Sequence, residues 1–201
     1  MADHLLAYPL TPKTVHLCVD MQRIFSAEGP WPTPWMAQVL PLIERIVNRH
    51  PERTVFSRFI TPLDPGELPG MWQRYYTRWH TATRACIHPR LLKLMPELQR
   101  YAPPATVIDK TRYSAFFGSA LRKYLQDREA DGLIITGSET DVCVLATVLS
   151  AVDLGYRVIL VRDALCSSSD EGHDALMKMY HSRYTEQIET TDAKTVLSDW
   201  H

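Results

Sequence analysis

The chain alternates between short apolar runs and segments in which apolar residues recur at helical spacing. The apolar runs predict buried β-strands, over residues 15–20, 54–59, 105–110, 132–136, 157–161 and 187–190. The intervening segments predict helices, over residues 39–47, 72–79, 89–100, 117–127, 142–152 and 171–184, with a short last helix capped by Asp192. This alternation predicts an α/β fold of three layers, in which right-handed crossovers place helices on both faces of a parallel sheet.

The first predicted helix contains Pro41. A proline lacks the amide N–H that a helix interior needs, and it is tolerated in the first turn. We therefore expect Pro41 to lie in the first turn of this helix. The apolar positions that define the helix are Val39, Leu40, Ile43, Ile46 and Val47.

Residues 60–90 have no strand pattern, and their first part is a predicted loop rich in proline and glycine. After the loop, Trp72, Tyr75, Tyr76 and Trp79 fall at positions i, i+3, i+4 and i+7, so they share one face of a helix. Two interpretations of this insert stay open. The aromatic face is a packing or subunit interface, or it is a lid whose side walls a substrate pocket.

Length and composition indicate a globular protein with a single domain over residues 1–201. Hydrophobic residues make up 45% and charged residues 22%, and the formal net charge is -1. A net charge this small provides no general attraction to nucleic acid or to an anionic membrane. No apolar run approaches the roughly 18 residues of a membrane helix. Residues 1–13 are polar and contain prolines, so we expect a surface arm and no secretory signal.

The four cysteines are scattered along the chain without CxxC spacing, at Cys18, Cys86, Cys143 and Cys166. This spacing argues against a disulfide framework or a zinc knuckle. Free thiols are typical of a reducing compartment, so the sequence predicts a cytoplasmic protein.

Cys143 lies where a predicted strand turns through Gly137 into a predicted helix. Such turns place the first helical residues at the carboxyl edge of the sheet, where open α/β folds bind ligands. The helix N-terminus lowers the pKa of a nearby thiol, so we expect an activated cysteine. The alternative is that Cys143 is a small buried core residue.

Asp20, Lys110 and Cys143 each lie at or just beyond the carboxyl end of a predicted strand, so a parallel sheet places all three on one edge. An aspartate in such a place is often a helix cap, and a lysine is often solvated. Together, however, the carboxylate can take the thiol proton and return it to a leaving amine. The positive charge of Lys110 would stabilise the carboxylate of Asp20 and the thiolate of Cys143.

The chain resembles the isochorismatase-like cysteine hydrolases, a family that includes nicotinamidases and N-carbamoylsarcosine amidases. Matching motifs extend from about residue 15 to residue 190. They are Val19-Asp20-Met21-Gln22 with Phe25, Asp109-Lys110 with Ser114-Ala115-Phe116, Gly137-x-x-Thr140-Asp141-Val142-Cys143-Val144, and Asp163-Ala164 with Ser167 and His173.

This resemblance implies a six-stranded parallel sheet of order 3-2-1-4-5-6. It implies a catalytic triad of Asp20, Lys110 and Cys143, with Cys143 as the nucleophile. It also implies a cis peptide bond between Ser138 and Glu139, which would turn the amides of Glu139 and Cys143 into an oxyanion hole. A homodimer or homotetramer is expected from the family and from the aromatic stripe.

Two differences between this sequence and members of the family limit the range of reactions that we expect. Nicotinamidases carry a D-x-H metal motif after the second strand, but residues 57–62 contain no acid or histidine. We therefore expect no metal and no other cofactor, and nicotinamide is an unsafe guess for the substrate. True isochorismatases resemble this chain but lack the cysteine, so Cys143 favours covalent acyl transfer.

The sequence thus predicts an amidohydrolase that cleaves a small non-peptide amide, imide or ureido compound. Nucleic acid and membranes are not expected partners. One alternative is a vinyl-ether hydrolase of the isochorismatase type, with Asp20 as general acid. Another is a catalytically silent family member that acts as a binding protein.

Candidate substrate-binding residues come from the loop at 25–35, the insert and the strand ends. Arg58, Arg74 or Arg78 could pair with a substrate carboxylate, or they could tie the insert to the sheet. The complete candidate set is Gln22, Phe25, Trp35, Arg58, Tyr75, Trp79, Tyr113 and Phe116.

The missing D-x-H motif generates a test. Activity is expected to survive prolonged chelation, and the purified protein is expected to contain no stoichiometric zinc by elemental analysis. A chelated enzyme that is inactive but regains activity when zinc is restored would contradict this expectation.

Overall fold

The computed structural model describes residues 6–201, so the first five residues of the expected surface arm lie outside it. Within this range six parallel strands form one sheet of order β3-β2-β1-β4-β5-β6, which confirms the predicted topology. The strands are β1 Val15–Val19, β2 Thr54–Phe59, β3 Thr106–Lys110, β4 Gly132–Ser138, β5 Arg157–Cys166 and β6 Ile188–Thr191.

Helices connect the strands and cover both faces of the sheet. They are α1 Met36–Arg49, α2 Met71–Arg78, α3 Pro96–Gln99, α4 Leu121–Asp127, α5 Leu145–Asp153, α6 Asp170–Arg183 and α7 Ala193–Asp199. None of these described helices is long and apolar enough to cross a membrane.

Two apolar cores lie on opposite faces of the sheet, because successive side chains of a strand point in opposite directions. Cys18 of β1 belongs to the core that contains α1 and α7. Its neighbours Leu17 and Val19 belong to the core that contains α4, α5 and α6. Every residue of β1 and β4 is buried, as expected of central strands covered on both sides.

The helix predicted over residues 89–100 is wrong. The structure has a 3-10 turn at Pro89–Leu92, an extended stretch, and then the short α3. Met95 precedes Pro96 and has ψ 140°, because the proline ring disfavours a helical conformation in the residue before it. Leu94, in the extended stretch, forms an antiparallel bridge with Gln22.

Pro41 does not lie in the first turn of its helix, because α1 begins at Met36 and Pro41 is its sixth residue. Ala37, whose carbonyl would accept the missing N–H bond, is exposed, as is Pro41. Water can therefore satisfy that carbonyl. The apolar face of α1 packs in the first core and offsets the cost of the proline.

The insert at residues 60–90 contains α2 with the predicted aromatic face. Tyr76 is buried, and Trp72 and Tyr75 pack against the first core. The remainder is loop and 3-10 turn. Both interpretations of the insert, as a lid and as a packing or subunit interface, stay predictions.

Gly137 sits where β4 approaches β1 most closely. Its φ is +112°, and a Cβ at this position would lie 2.1 Å from the carbonyl oxygen of Val19. Only glycine permits both the backbone conformation and the approach. The turn that carries Cys143 begins directly after this point, so the position of the thiol depends on it.

Gly137→Ala is expected to lower the free energy of unfolding by more than about 3 kcal/mol, because a backbone clash adds to the strain of positive φ. Gly155→Ala is the matched control, since Gly155 has φ +82° and open space around it. Its loss is expected to be about 1–2 kcal/mol. Equal losses for the two variants in urea unfolding would contradict the close-approach argument.

Candidate active site

Asp20 follows β1 and is completely buried. Ser57 of β2 donates its hydroxyl to Oδ1 at 2.6 Å, and the backbone N–H of Asp20 donates back to Ser57 Oγ at 3.2 Å. The other carboxylate oxygen, Oδ2, lies 2.6 Å from Nζ of Lys110. No well-directed hydrogen bond to Oδ2 is formed by the described residues. Oδ2 is therefore held by charge and remains available to accept a proton.

Lys110 ends β3 and is also buried. Its ammonium donates to the backbone carbonyls of Arg112 at 2.9 Å and Tyr113 at 2.8 Å, in addition to the contact with Asp20. Burial lowers the pKa of this ammonium, but the attraction of the Asp20 carboxylate opposes burial, and the net pKa is raised. Lys110 is therefore a fixed cation, hydrogen-bonded to two backbone carbonyls and paired by charge with Asp20.

Cys143 lies in a π-helical turn, Thr140–Val144, between β4 and α5. The charges of Asp20 and Lys110 both act on its thiol. Burial and the charge of Asp20 raise the thiol pKa, and the opposing effect of Lys110 is smaller. The expectation of a lowered pKa was wrong because it considered the helix terminus without the desolvation of a buried thiol. The resting group is a neutral thiol.

The backbone before the turn has an unusual geometry, since the peptide bond between Ser138 and Glu139 is cis. Glu139 accepts a hydrogen bond from the hydroxyl of Ser168 at 2.6 Å through Oε2. Burial raises the pKa of the Glu139 carboxyl, and the Ser168 bond opposes this effect.

A small cavity of about 140 Å³ opens beside Cys143. A volume of about 150 Å³ accommodates a molecule the size of benzene. Its walls consist of five aromatic side chains with Glu139, Val142 and the nucleophile candidate. The lining residues are Phe25, Trp31, Phe59, Tyr75, Tyr113, Glu139, Val142 and Cys143.

Three of the predicted substrate-binding residues, Phe25, Tyr75 and Tyr113, line this cavity. Trp79 does not line the cavity but contacts the lining residue Trp31, with 5.9 Å between the ring centroids. Trp31, Phe59 and Val142 also line the cavity, and none of them is among the predicted binding residues. For Phe59 a signal existed, because it pairs with Lys110 in the register of β2 and β3.

Besides Trp79, four predicted binding residues lie outside the lining. Gln22 is buried and exchanges hydrogen bonds with the backbone of Phe59, so it joins strand ends. Phe116 stacks on Tyr156. Trp35 is 47% exposed and lines a separate cavity with Cys166 and His173.

Arg58 is the fourth, and it forms a bidentate ion pair with Asp109 on the neighbouring strand, at 2.6 and 2.9 Å. This pair joins two strands, not the insert to the sheet. Arg78 lies over the ring of Trp79, and Arg74 is exposed. None of these arginines lines the cavity. Among residues 6–201, no group of three or more His, Cys, Asp or Glu side chains could hold a metal ion.

Known proteins with similar sequences or structures share this arrangement of elements. The nicotinamidase of Escherichia coli (strain K12) is 28% identical over 177 residues, which span 76% of this chain and 82% of that protein. N-carbamoylsarcosine amidase from Arthrobacter sp is 26% identical over 163 residues, 80% of this chain and 61% of that protein. A shorter match, 39% identical over 83 residues, spans 40% of this chain and 45% of an isochorismatase family protein from Bacillus subtilis (strain 168).

The solved structure of a cysteine hydrolase from Pseudomonas syringae pv. phaseolicola 1448A superposes with a TM-score of 0.84. The alignment covers 99% of this chain and 98% of that one at 22% identity, so it establishes the fold alone. The isochorismatase domain family matches residues 14–192, which is most of the sequence. This chain therefore belongs to the isochorismatase family.

Proposed function

We propose that this chain hydrolyses a small non-peptide amide, imide or ureido compound through a thioester at Cys143. Its relatives include amidohydrolases that act on C–N bonds other than peptide bonds, and the chain is an amide-cleaving hydrolase of this kind. The observation that carries the covalent mechanism is the buried Asp20–Lys110 ion pair beside a thiol that lines a small aromatic cavity. A thiol, a base and a fixed cation are the groups that acyl transfer requires.

The first step forms the sulfur–carbon bond. Because the resting thiol is neutral, Asp20 Oδ2 takes its proton as Sγ attacks the substrate carbonyl carbon. The carbonyl π electrons move to oxygen. We assign the stabilisation of that oxyanion to the backbone N–H groups of Glu139 and Cys143.

The second step breaks the carbon–nitrogen bond. The protonated Asp20 donates its proton to the leaving nitrogen, and ammonia or an amine departs as the carbonyl re-forms. Lys110 keeps Asp20 in its anionic form between proton transfers, because protonating the carboxylate would leave a buried cation unpaired.

The third step restores the enzyme. Asp20 removes a proton from water as the water oxygen attacks the thioester carbonyl. The sulfur–carbon bond then breaks, and a carboxylic acid is released. Asp20 donates the proton that it took from water to Sγ, which restores the thiol and the carboxylate. Asp20 thus alternates between base and acid within one turnover.

Ammonia release over a panel of small amides, ureas and hydantoin-like compounds tests the function, with Cys143→Ala as the blank. If Cys143→Ala kept near wild-type turnover on the true substrate, covalent catalysis would be wrong. The vinyl-ether alternative, with Asp20 as general acid, would then take its place. A cytoplasmic location and a homodimeric or homotetrameric assembly remain proposals that rest on the cysteine pattern and on the family.

Asp20→Asn is expected to lower kcat by about 10²–10⁴-fold or more, since general acid–base assistance of this size is lost. Lys110→Ala and Cys143→Ser are expected to be similarly impaired, and combined variants are not expected to add, because the three groups act as a unit. Asp109→Asn is the matched control, an exposed carboxylate beside Lys110 in sequence that faces Arg58. Steady-state kinetics on variants with native circular dichroism provide the measurement. Equal losses for Asp20→Asn and Asp109→Asn would contradict the assigned role.

Lys110→Met is expected to slow alkylation of Cys143 at a fixed alkaline pH, by about tenfold for each unit by which the thiol pKa rises. The cation of Lys110 lowers this pKa, so its removal raises the pKa further. Asp20→Asn is expected to act in the opposite direction, because the charge of Asp20 raises it. The exposed Cys86 provides an internal reference in the same molecule. Mass spectrometry of both cysteines measures the rates, and shifts of the same sign in the two variants would refute the charge assignment.

A further inference from the structure

The composition of the cavity wall identifies the kind of molecule that it favours. Trp31 lies at the centre of the aromatic wall, with ring-centroid distances of 6.0 Å to Phe25, 6.3 Å to Phe59 and 6.2 Å to Tyr75. Aromatic faces attract a cation that lies within about 6 Å of the ring centroid, most strongly where water is excluded. A group that enters this cavity therefore meets several electron-rich faces.

Glu139 is the only charged residue among those that line the cavity. The hydroxyl of Ser168 donates to Oε2 of Glu139 at 2.6 Å, and the Glu139 side chain is half-buried. Tyr75 and Tyr113 line the same cavity as this carboxylate. A partly buried acidic side chain therefore borders the space that a ligand would occupy.

Among residues 6–201, no lysine or arginine lines this cavity. Lys110 donates to two backbone carbonyls and faces Asp20. Arg58 is paired with Asp109, and Arg78 lies over the ring of Trp79. A carboxylate inside the cavity would therefore meet no cation in its wall.

We infer that the substrate is a small cationic amide, in which an ammonium or quaternary ammonium group next to the scissile amide is held by Glu139 and the aromatic wall. The inference rests on the hydrolase function proposed above, because it concerns the same cavity. Cation–π attraction and the charge of Glu139 both favour a cation in this cavity, whereas a carboxylate substrate would be repelled by Glu139. The cavity volume limits the substrate to about the size of betaine amide.

Binding can be tested without turnover. Tetramethylammonium chloride is expected to protect Cys143 from alkylation several-fold, whereas sodium acetate at the same ionic strength is not. Cys86, which is exposed, is expected to react at the same rate in both salts. This measurement does not require activity, so it separates a failure of the inference from a failure of the proposed function. Equal protection by the two salts, or none by tetramethylammonium, would overturn the inference.

Turnover provides the second measurement, with two amides of the same shape. Betaine amide and its neutral isostere 3,3-dimethylbutanamide differ in one atom, nitrogen in place of carbon. The expected ratio of kcat/KM favours the cation by about 10- to 100-fold, the range for one partly desolvated charge contact. Cys143-dependent hydrolysis of both at equal efficiency would overturn the inference and leave the proposed function standing.

Glu139→Gln is expected to reduce both the protection by tetramethylammonium and the kcat/KM ratio by about tenfold, because the amide keeps the shape of the side chain and removes the charge. Asp141→Asn is the matched control. It removes a charge from the same turn, but Asp141 bonds Ser167 and does not line the cavity. The control is expected to keep the preference for the cation. Loss of the preference in Asp141→Asn but not in Glu139→Gln would assign the effect to the wrong carboxylate and refute the proposal.

Discussion

The ion pair between Asp20 and Lys110 is the interaction on which the site depends. Both side chains are buried, and taking two such charges out of water costs several kcal/mol per ion before their attraction is counted. Hydrogen bonds from neighbouring polar groups offset part of this cost. Ser57 donates to Asp20, and two carbonyls of the loop after β3 accept from Lys110. A buried pair held this way has one geometry, which is what proton transfer to a neighbouring thiol requires.

The sheet provides the positions of all three groups. Asp20 follows β1, Lys110 ends β3, and Cys143 enters on the turn after β4, so β2 and its residue Ser57 lie between the first two. The close passage of Gly137 against Val19 brings the Cys143 turn to β1. The two cores on either side of the sheet hold these strand ends in register, so the geometry of the proposed site and the stability of the fold depend on the same contacts.

Burial has opposite consequences for the members of the site. It raises the pKa of the Cys143 thiol, so the thiol that we propose as nucleophile rests in its neutral form, which reacts slowly with oxidants and alkylating agents. The same burial strengthens the attraction between Asp20 and Lys110. A small aromatic cavity adjoins these groups. Its single carboxylate makes the region suited to a cation.

The sequence by itself determined the strands and the polar residues at their ends, because apolar runs and the residues that follow them are local features. It therefore placed Asp20, Lys110 and Cys143 on one edge, and the family resemblance supplied the strand order. The extended conformation of Met95 before Pro96 also has a local cause, and the predicted helix over residues 89–100 ignored that cause. Only the tertiary structure decided which side chains wall the cavity. Trp31, Phe59 and Tyr75 come from three separate segments of the chain. Arg58 does not line the cavity, because its guanidinium is paired with Asp109. The direction of the Cys143 pKa shift was decided in the same way, since desolvation depends on every group packed around the thiol.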